Sequence, residues 1–420
     1  MYHIVAFVED LHEYLTGCRF VKGNIIRKHS KKLDRLGDVS FPLSIKNWSQ
    51  NIIDKSPINL CTIFDYLSPG QDLNKQIDLL ITQSQNWALT IEECKIVNNT
   101  DVHLYLKRSE AIDLCIKKVL RENENYGMLH KYFTKKITIS LDETLEFDVT
   151  KMNLTELRAF ITHNVASNIL ECLCGNTVEN DCNIKITLNS NQKQNCTLVC
   201  GSVLNENGFK DTRTRASELY RKRALDLQLM AQHKYGIQVK PSWGDYFEKL
   251  GKSSVVIEML QNRLHKAIKI TLNNLQATNK GPSFIFYNCA RLSSLLKQFD
   301  ERVANKLYPE LPLLEKIDFS LLNQPEEWEI VYVYILQFPT VVISTVCDIK
   351  SSSINLHNLI IFLSNLSSIF SVYYRRVKIL INAKEHLLPT LFARIYLLKA
   401  VQQVFHTALK LLNIEPVKEM

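Results

Sequence analysis

The feature that most constrains this chain is a repeated helical stripe in its last third. Apolar residues recur at Ile285, Cys289, Leu292, Leu296 and Phe299, in steps of three and four that bring them to one face of a helix. Pro282 stands where proline suits a first helical turn, because its φ is already helical and its missing N–H is one the helix would leave unpaired. A helix is therefore predicted from about Pro282. A second is expected across Leu356–Leu380, with Leu359, Leu363, Leu366, Phe370 and Tyr373 on its stripe. A third runs from Pro389 through Leu391, Ile395, Leu398, Phe405, Leu409 and Leu412, with Glu415-Pro416 as its stop. The C-terminal part must then be a bundle of helices sharing one core.

The remainder of the chain mixes periods. Helical patterns occupy Val5–Leu15, Asn74–Ile81, Ala111–Leu120 and Ala216–Tyr235, and strands are expected at Lys136–Leu141 and Asn183–Leu188. A further amphipathic helix is expected over Val255–Leu275, with Ile257, Leu260, Leu264, Ile268 and Leu272 on its stripe. At 420 residues, more than one core is needed. The division expected is an α/β domain over residues 1–150, an intermediate segment over 151–255 and a helical domain over 256–420. One uncharged run, Ile330–Cys347, is long enough to raise the question of a membrane, but Pro339 interrupts it and two buried helices meeting at Phe338-Pro339 are expected instead.

Charge adds direction. The formal net charge is +8, and two runs hold most of the excess. Arg19–Arg35 has seven basic residues against one acid, and Gly208–Lys240 has eight against three. Gathered cations suit a polyanion. Arg27, Lys28 and Lys31 in the first run, and Lys210, Arg213 and Arg215 in the second, are the candidate secondary phosphate contacts. Arg221, Lys222 and Arg223 could add a basic ridge. The first ten residues carry Glu9 and Asp10 and no cationic lead, so a cytosolic location is expected. Eleven cysteines without regular spacing then read as thiols; Cys172-x-Cys174 is too tight for a zinc knuckle, and no metal is expected.

Several chemistries are excluded by glycine placement. No two of the 12 glycines are separated by a single residue, so G-x-G loops for dinucleotides or S-adenosylmethionine are absent, and P-loop and G-x-S-x-G patterns are missing too. No cofactor is expected.

On this background five motifs fall in a fixed order. They are Gly281-Pro282-x4-Tyr287-x2-Ala290-Arg291-Leu292, then Phe338-Pro339, then Tyr373-Tyr374 before Val377-x-x-Leu380, then Arg394-Ile395-x-Leu397, and a tail Leu411-Leu412-x-Ile414-x-Pro416 closing at Met420. This order resembles the DALR anticodon-binding domain of arginyl-tRNA synthetases. The resemblance implies a multidomain α+β protein: a divergent, synthetase-like α/β N-terminal part followed by an all-α DALR anticodon-binding helical bundle. It also implies that Tyr287, Arg291, Tyr374, Arg375, Arg376, Arg394 and Met420 bind tRNA. Unpaired anticodon bases can stack on aromatic rings and guanidinium planes while Lys and Arg neutralise phosphates.

The stretch Thr197–Arg215 is similar to the strand and loop that carry the second class I synthetase signature, but its lysine-rich motif is absent. The first signature is absent as well, since no glycine in the chain precedes a histidine. An anticodon module without the catalytic signatures resembles the family of DALR anticodon-binding domain-containing protein 3. That likeness implies a non-catalytic adaptor presenting arginine tRNAs to a methyltransferase for 3-methylcytidine formation. The alternatives are a divergent arginyl-tRNA synthetase and a helical scaffold for protein contacts.

Overall fold

The structure is a computed structural model that describes residues 3–418 apart from 20–22, 53–59, 129–131, 134–135, 143–147, 175–179, 190–195, 236–242 and 273–280. The first part of the chain gives α1 (His3–Thr16), β1 (Arg27–Lys28), α2 (Leu33–Leu36), β2 (Val39–Pro42), α3 (Ile63–Leu67), α4 (Leu73–Ser84), β3 (Ile91–Val97), β4 (Asp101–Leu106) and α5 (Arg108–Glu122). Next come β5 (Lys136–Leu141), α6 (Leu154–Cys174), β6 (Asn180–Thr187), β7 (Thr197–Val199), β8 (Val203–Leu204), α7 (Ala216–Tyr235), α8 (Gly244–Leu260) and β9 (Ile268–Lys269). The rest is helical: α9 (Pro282–Ala304), α10 (Pro325–Glu329), α11 (Phe338–Val346), α12 (His357–Arg376) and α13 (Leu388–Leu411).

These elements pack as two compact units, neither contiguous in sequence. One comprises Met1–Arg121, Leu311–Gln337 and Ile381–Leu397; the other comprises Glu122–Glu310, Phe338–Leu380 and Leu398–Met420. The boundaries expected near 150 and 255 do not divide these units. Local patterning shows where elements lie, while membership of a core depends on contacts between distant stretches.

The first unit is built on an antiparallel sheet in the order β1-β2-β4-β3. All four β2 residues are buried, so this strand is central, and Phe41 meets the buried Trp48 edge to face at 5.9 Å. A helical stretch with Pro325 in its first turn enters the same core. It continues as a π turn over Ile330–Ile335. Trp328 and Tyr332 stack at 5.3 Å there and reach Asp38 together. The indole Nε1 donates to Asp38 Oδ1 at 2.8 Å, and the phenol donates to the Asp38 carbonyl at 2.6 Å. The Leu106 amide donates to Asp38 Oδ2 at 2.8 Å. Burial pushes the Asp38 carboxyl up to about 6 in spite of these donors. Pro325–Ser351 is long and apolar enough to cross a membrane, yet 61% of its apolar window is buried inside the protein.

The second unit opens on a parallel sheet in the order β5-β6-β7, with α6 packed against it. Lys136–Leu141 is a strand as expected. Helix α7 lies so close to α8 that a Cβ on Gly251 would come within 2.7 Å of the Ala224 amide nitrogen, which only glycine permits. The expected helix over Val255–Leu275 is corrected: α8 ends at Leu260, and Ile268–Lys269 pairs in parallel with Val203–Leu204. Arg158 accounts for the break. Its guanidinium, fully buried on α6, donates to the carbonyls of Met259 (3.1 Å), Arg263 (3.2 Å), Lys266 (2.6 Å) and Gly201 (2.9 Å). Carbonyls of a continuous helix all point along its axis, so those of Met259, Arg263 and Lys266 converge on one guanidinium only where the chain leaves the helix.

The C-terminal stripes are buried as the periodicity predicts. Ile285, Leu292, Phe299, Leu363, Phe370 and Tyr373 are 1% exposed or less. Helix α13 ends at Leu411 through an Asn413 in the left-handed region (φ 58), with the Ile414 amide donating back to the Leu409 carbonyl at 2.9 Å. The stop is therefore this cap, ahead of the expected Glu415-Pro416.

Candidate RNA-binding groove

Helix α9 presents two faces. Its stripe is buried, and Tyr287 and Arg291, one turn apart, occupy a half-buried flank. Arg291 donates from its guanidinium to the Tyr287 hydroxyl at 2.6 Å and lies 4.4 Å from the centre of that ring. The same guanidinium lies 4.7 Å from the ring centre of Tyr374, which comes from the last turn of α12. One cation thus serves two aromatic rings, well inside the range of a cation–π contact. The sequence makes this possible through the pair Tyr373-Tyr374: a step of one residue turns the helix about 100°, so Tyr373 is fully buried while Tyr374 is 39% exposed.

The three residues line a groove of about 1470 Å³, which belongs wholly to the second unit. Its walls come from α8, α9, the end of α12 with the stretch through Leu380, α13 and the C-terminal tail. The tail is brought back by burial of Ile414 and Val417, the latter in hydrogen-bonding contact with Cys289. Among the described lining residues Arg291, Lys297, Arg302, Lys378 and Lys418 are basic, and none is Asp or Glu. Cations gathered in this way attract polyanions. His406 also lines the groove, and burial with the nearby Lys418 lowers its pKa.

The candidate residues are not all gathered here. Arg375 and Arg376 follow Tyr374 on exposed positions at the C-terminus of α12, where cations complement the helix dipole, but they do not line the groove. Arg394 lies in the first unit. Its Nε donates to Glu327 Oε1 at 2.8 Å, with the arginine side chain 14% exposed and the glutamate fully buried. Glu327 caps its own helix by accepting from the Gln324 amide at 2.9 Å. Arg394 is thus a structural ion pair in this fold, and the expectation that it meets RNA is not met by its surroundings. Met420 lies outside the described residues.

Lys210, Arg213 and Arg215 are exposed around a tight hairpin in which Leu204 bridges Lys210. Asp211 holds the turn by accepting from the Arg213 and Thr214 amides, each at 2.9 Å. Arg215 donates to the Lys151 carbonyl at 2.5 Å. The stretch is an exposed basic hairpin. In the first unit Arg27 lies 3.9 Å from Asp101, and Lys28 and Lys31 are exposed. The ridge at Arg221–Arg223 is corrected. Lys222 pairs with Asp226 at 2.7 Å, and Arg223, only 11% exposed, pairs with Glu258 at 2.8 Å and Asp226 at 3.3 Å. It clamps α7 to α8.

Sequence reasoning missed Lys297, Arg302, Lys378, Lys418, Trp243, Tyr246 and His406 as groove residues. Lys297 and Arg302 were readable as polar positions beside the α9 stripe. Trp243 and Tyr246 carried no such signal, because their helix lies outside the five motifs.

Comparison with known proteins agrees with the position of the groove helices. The model of the DALR anticodon binding domain matches residues 285–420. DALR anticodon-binding domain-containing protein 3 of Rattus norvegicus is 32% identical over 230 residues, 53% of this chain and 43% of that protein. Its counterpart in Danio rerio is 27% identical over 234 residues, 53% and 41% of the two chains. The match therefore spans less than half the length of these relatives. The solved arginyl-tRNA synthetase of Plasmodium falciparum has the same fold, with a TM-score of 0.61 at 12% identity over the whole of both chains.

Proposed function

We propose that this chain, whose residues 285–420 form a DALR anticodon-binding domain, is a tRNA-binding protein that holds an anticodon loop in the groove between α8, α9, α12 and α13. The observation that carries this reading is the Tyr287–Arg291–Tyr374 stack opening on a groove whose described charged lining residues are cationic. An anticodon loop supplies what these groups recognise: splayed bases with exposed π faces, flanked by phosphates. At about 1470 Å³ the groove exceeds the ~300–1,000 Å³ of a small-molecule site, which suits several linked nucleotides better than one.

The finer reading is a non-catalytic, cytosolic adaptor that selects arginine tRNAs and delivers them to a methyltransferase forming 3-methylcytidine in the anticodon loop. It is supported by likeness to DALR anticodon-binding domain-containing protein 3 and by the absence of G-x-G and Gly-His motifs from the sequence. Recovery of bound tRNA from cells followed by sequencing tests it: enrichment of arginine isoacceptors together with a methyltransferase is expected. An unselective tRNA pool would remove the adaptor reading, and arginine-dependent ATP–pyrophosphate exchange would replace it with a synthetase.

A further inference from the structure

The family domain begins at residue 285, yet part of the groove wall comes from ahead of it. Trp243 at the N-cap of α8, with Tyr246 and Phe247 from the start of that helix, lines the same groove. Their spacing of three and four puts them on one helical face, while Asp245 and Glu248 fall on others and do not line the groove. Phe247 is buried, at 4% exposure, and braces both neighbours. Its ring centre lies 5.9 Å from that of Trp243 at 67° and 6.0 Å from that of Tyr246 at 63°. Edge contacts of this kind fix ring orientation. Helix α8 is itself held by the Gly251–Ala224 approach and the Arg223–Glu258 pair. Two half-exposed aromatic rings are therefore presented rigidly to a groove whose described charged lining residues are cationic.

We propose that Trp243 and Tyr246 form a second base-stacking wall of the groove, so that RNA is held by aromatic rings from α8 as well as from α9 and α12. This rests on the RNA-binding reading of the groove and extends it to residues outside the 285–420 domain. Stacking on a neutral ring adds affinity without displacing counterions, whereas each lysine or arginine on a phosphate releases them. The two contributions separate by salt dependence.

The test uses the full chain and an anticodon stem-loop RNA, with the paired stem alone as a control. Trp243→Ala and Tyr246→Ala are each expected to weaken binding of the stem-loop by about fivefold to about a hundredfold. The slope of log affinity against log salt should not change. Lys378→Ala should lower that slope by about 0.7. Trp243→Phe should keep affinity within about threefold, and the fluorescence quench of the wild-type protein on RNA binding should be lost in it. Wild-type affinity and an undiminished quench in these variants would overturn the second wall while leaving the groove reading intact. Absence of RNA binding by the wild-type chain would instead overturn the groove reading. If Trp243→Ala does not fold, the Trp243→Phe quench and the Tyr246→Ala affinity decide the matter.

Discussion

Arg291 on α9 and Tyr374 on α12 are 83 positions apart, yet the guanidinium carbon sits 4.7 Å from the ring centre. This contact joins the two helices at the lip of the groove. The stack needs a planar cation: Arg291 must also donate to the Tyr287 hydroxyl, which a guanidinium does without leaving either ring. Arg291→Lys keeps the charge and loses the plane. Its RNA affinity should fall roughly threefold to thirtyfold with the salt slope retained. Arg291→Ala should fall further and lose about 0.7 of the slope. Equal affinity in both variants and the wild type, measured by filter binding across a salt series, would show that the stack does not touch RNA.

Arg394 gives the opposite expectation. Its partner Glu327 is fully buried, so removal of the arginine strands a charge in a low-dielectric core. Arg394→Ala should lower stability by about 3–5 kcal/mol in denaturant unfolding. RNA affinity, measured where the variant remains folded, should be unchanged. Paired replacement as Arg394→Met with Glu327→Leu should recover much of the stability, because no orphan charge remains.

This residue also marks how far the sequence could be read. The stripes through Ile285, Phe370 and Leu409 showed both the helices and their buried faces, since periodicity is a local property and the core only ratifies it. The order of motifs likewise placed Tyr287, Arg291 and Tyr374 on helices that meet. What was not legible was which cation faces what. Arg291, Arg394 and Arg223 look alike in sequence, and their different fates depend on carboxylates at Glu327 and Glu258 that no local pattern ties to them. The helix expected over Val255–Leu275 failed for a similar reason. Its apolar spacing was genuine, but a buried arginine about a hundred residues earlier gathers carbonyls from Met259 and Lys266 that a continuous helix would hold apart along its axis.

Arg158 therefore supports a second stability prediction. Four carbonyls accept from its guanidinium, that of Met259 in a fully buried setting, while the Arg263 carbonyl also accepts from the Lys266 amide at 3.0 Å. An unsatisfied buried acceptor costs about 1–3 kcal/mol. Arg158→Met preserves much of the volume and removes every donor, so a loss of at least about 3 kcal/mol is expected. Hydrogen exchange should show the loss concentrated at the end of α8 and in the β8–β9 pair. Uniform loss across the second unit would mean that Arg158 acts only through packing.

Asp38 makes the first unit sensitive to pH in a direction opposite to most carboxylates. Its pKa is raised from 3.8 to about 6 by burial, so the unfolded chain gives up the proton more readily than the folded one. The neutral form is favoured by folding: its contribution is fully present below about pH 4 and is lost as pH rises through about 6. From the two pKa values, lowering the pH from 7 to 5 should add about 1 kcal/mol to the stability of the wild-type protein relative to Asp38→Asn. The variant itself should be weaker at every pH. The amide puts an NH2 donor where one of the two carboxylate oxygens now accepts from Trp328 Nε1 or from the Leu106 amide. Urea unfolding of both proteins at the two pH values measures the difference. A wild-type curve that runs parallel to the variant would mean that Asp38 keeps an ordinary pKa despite its burial.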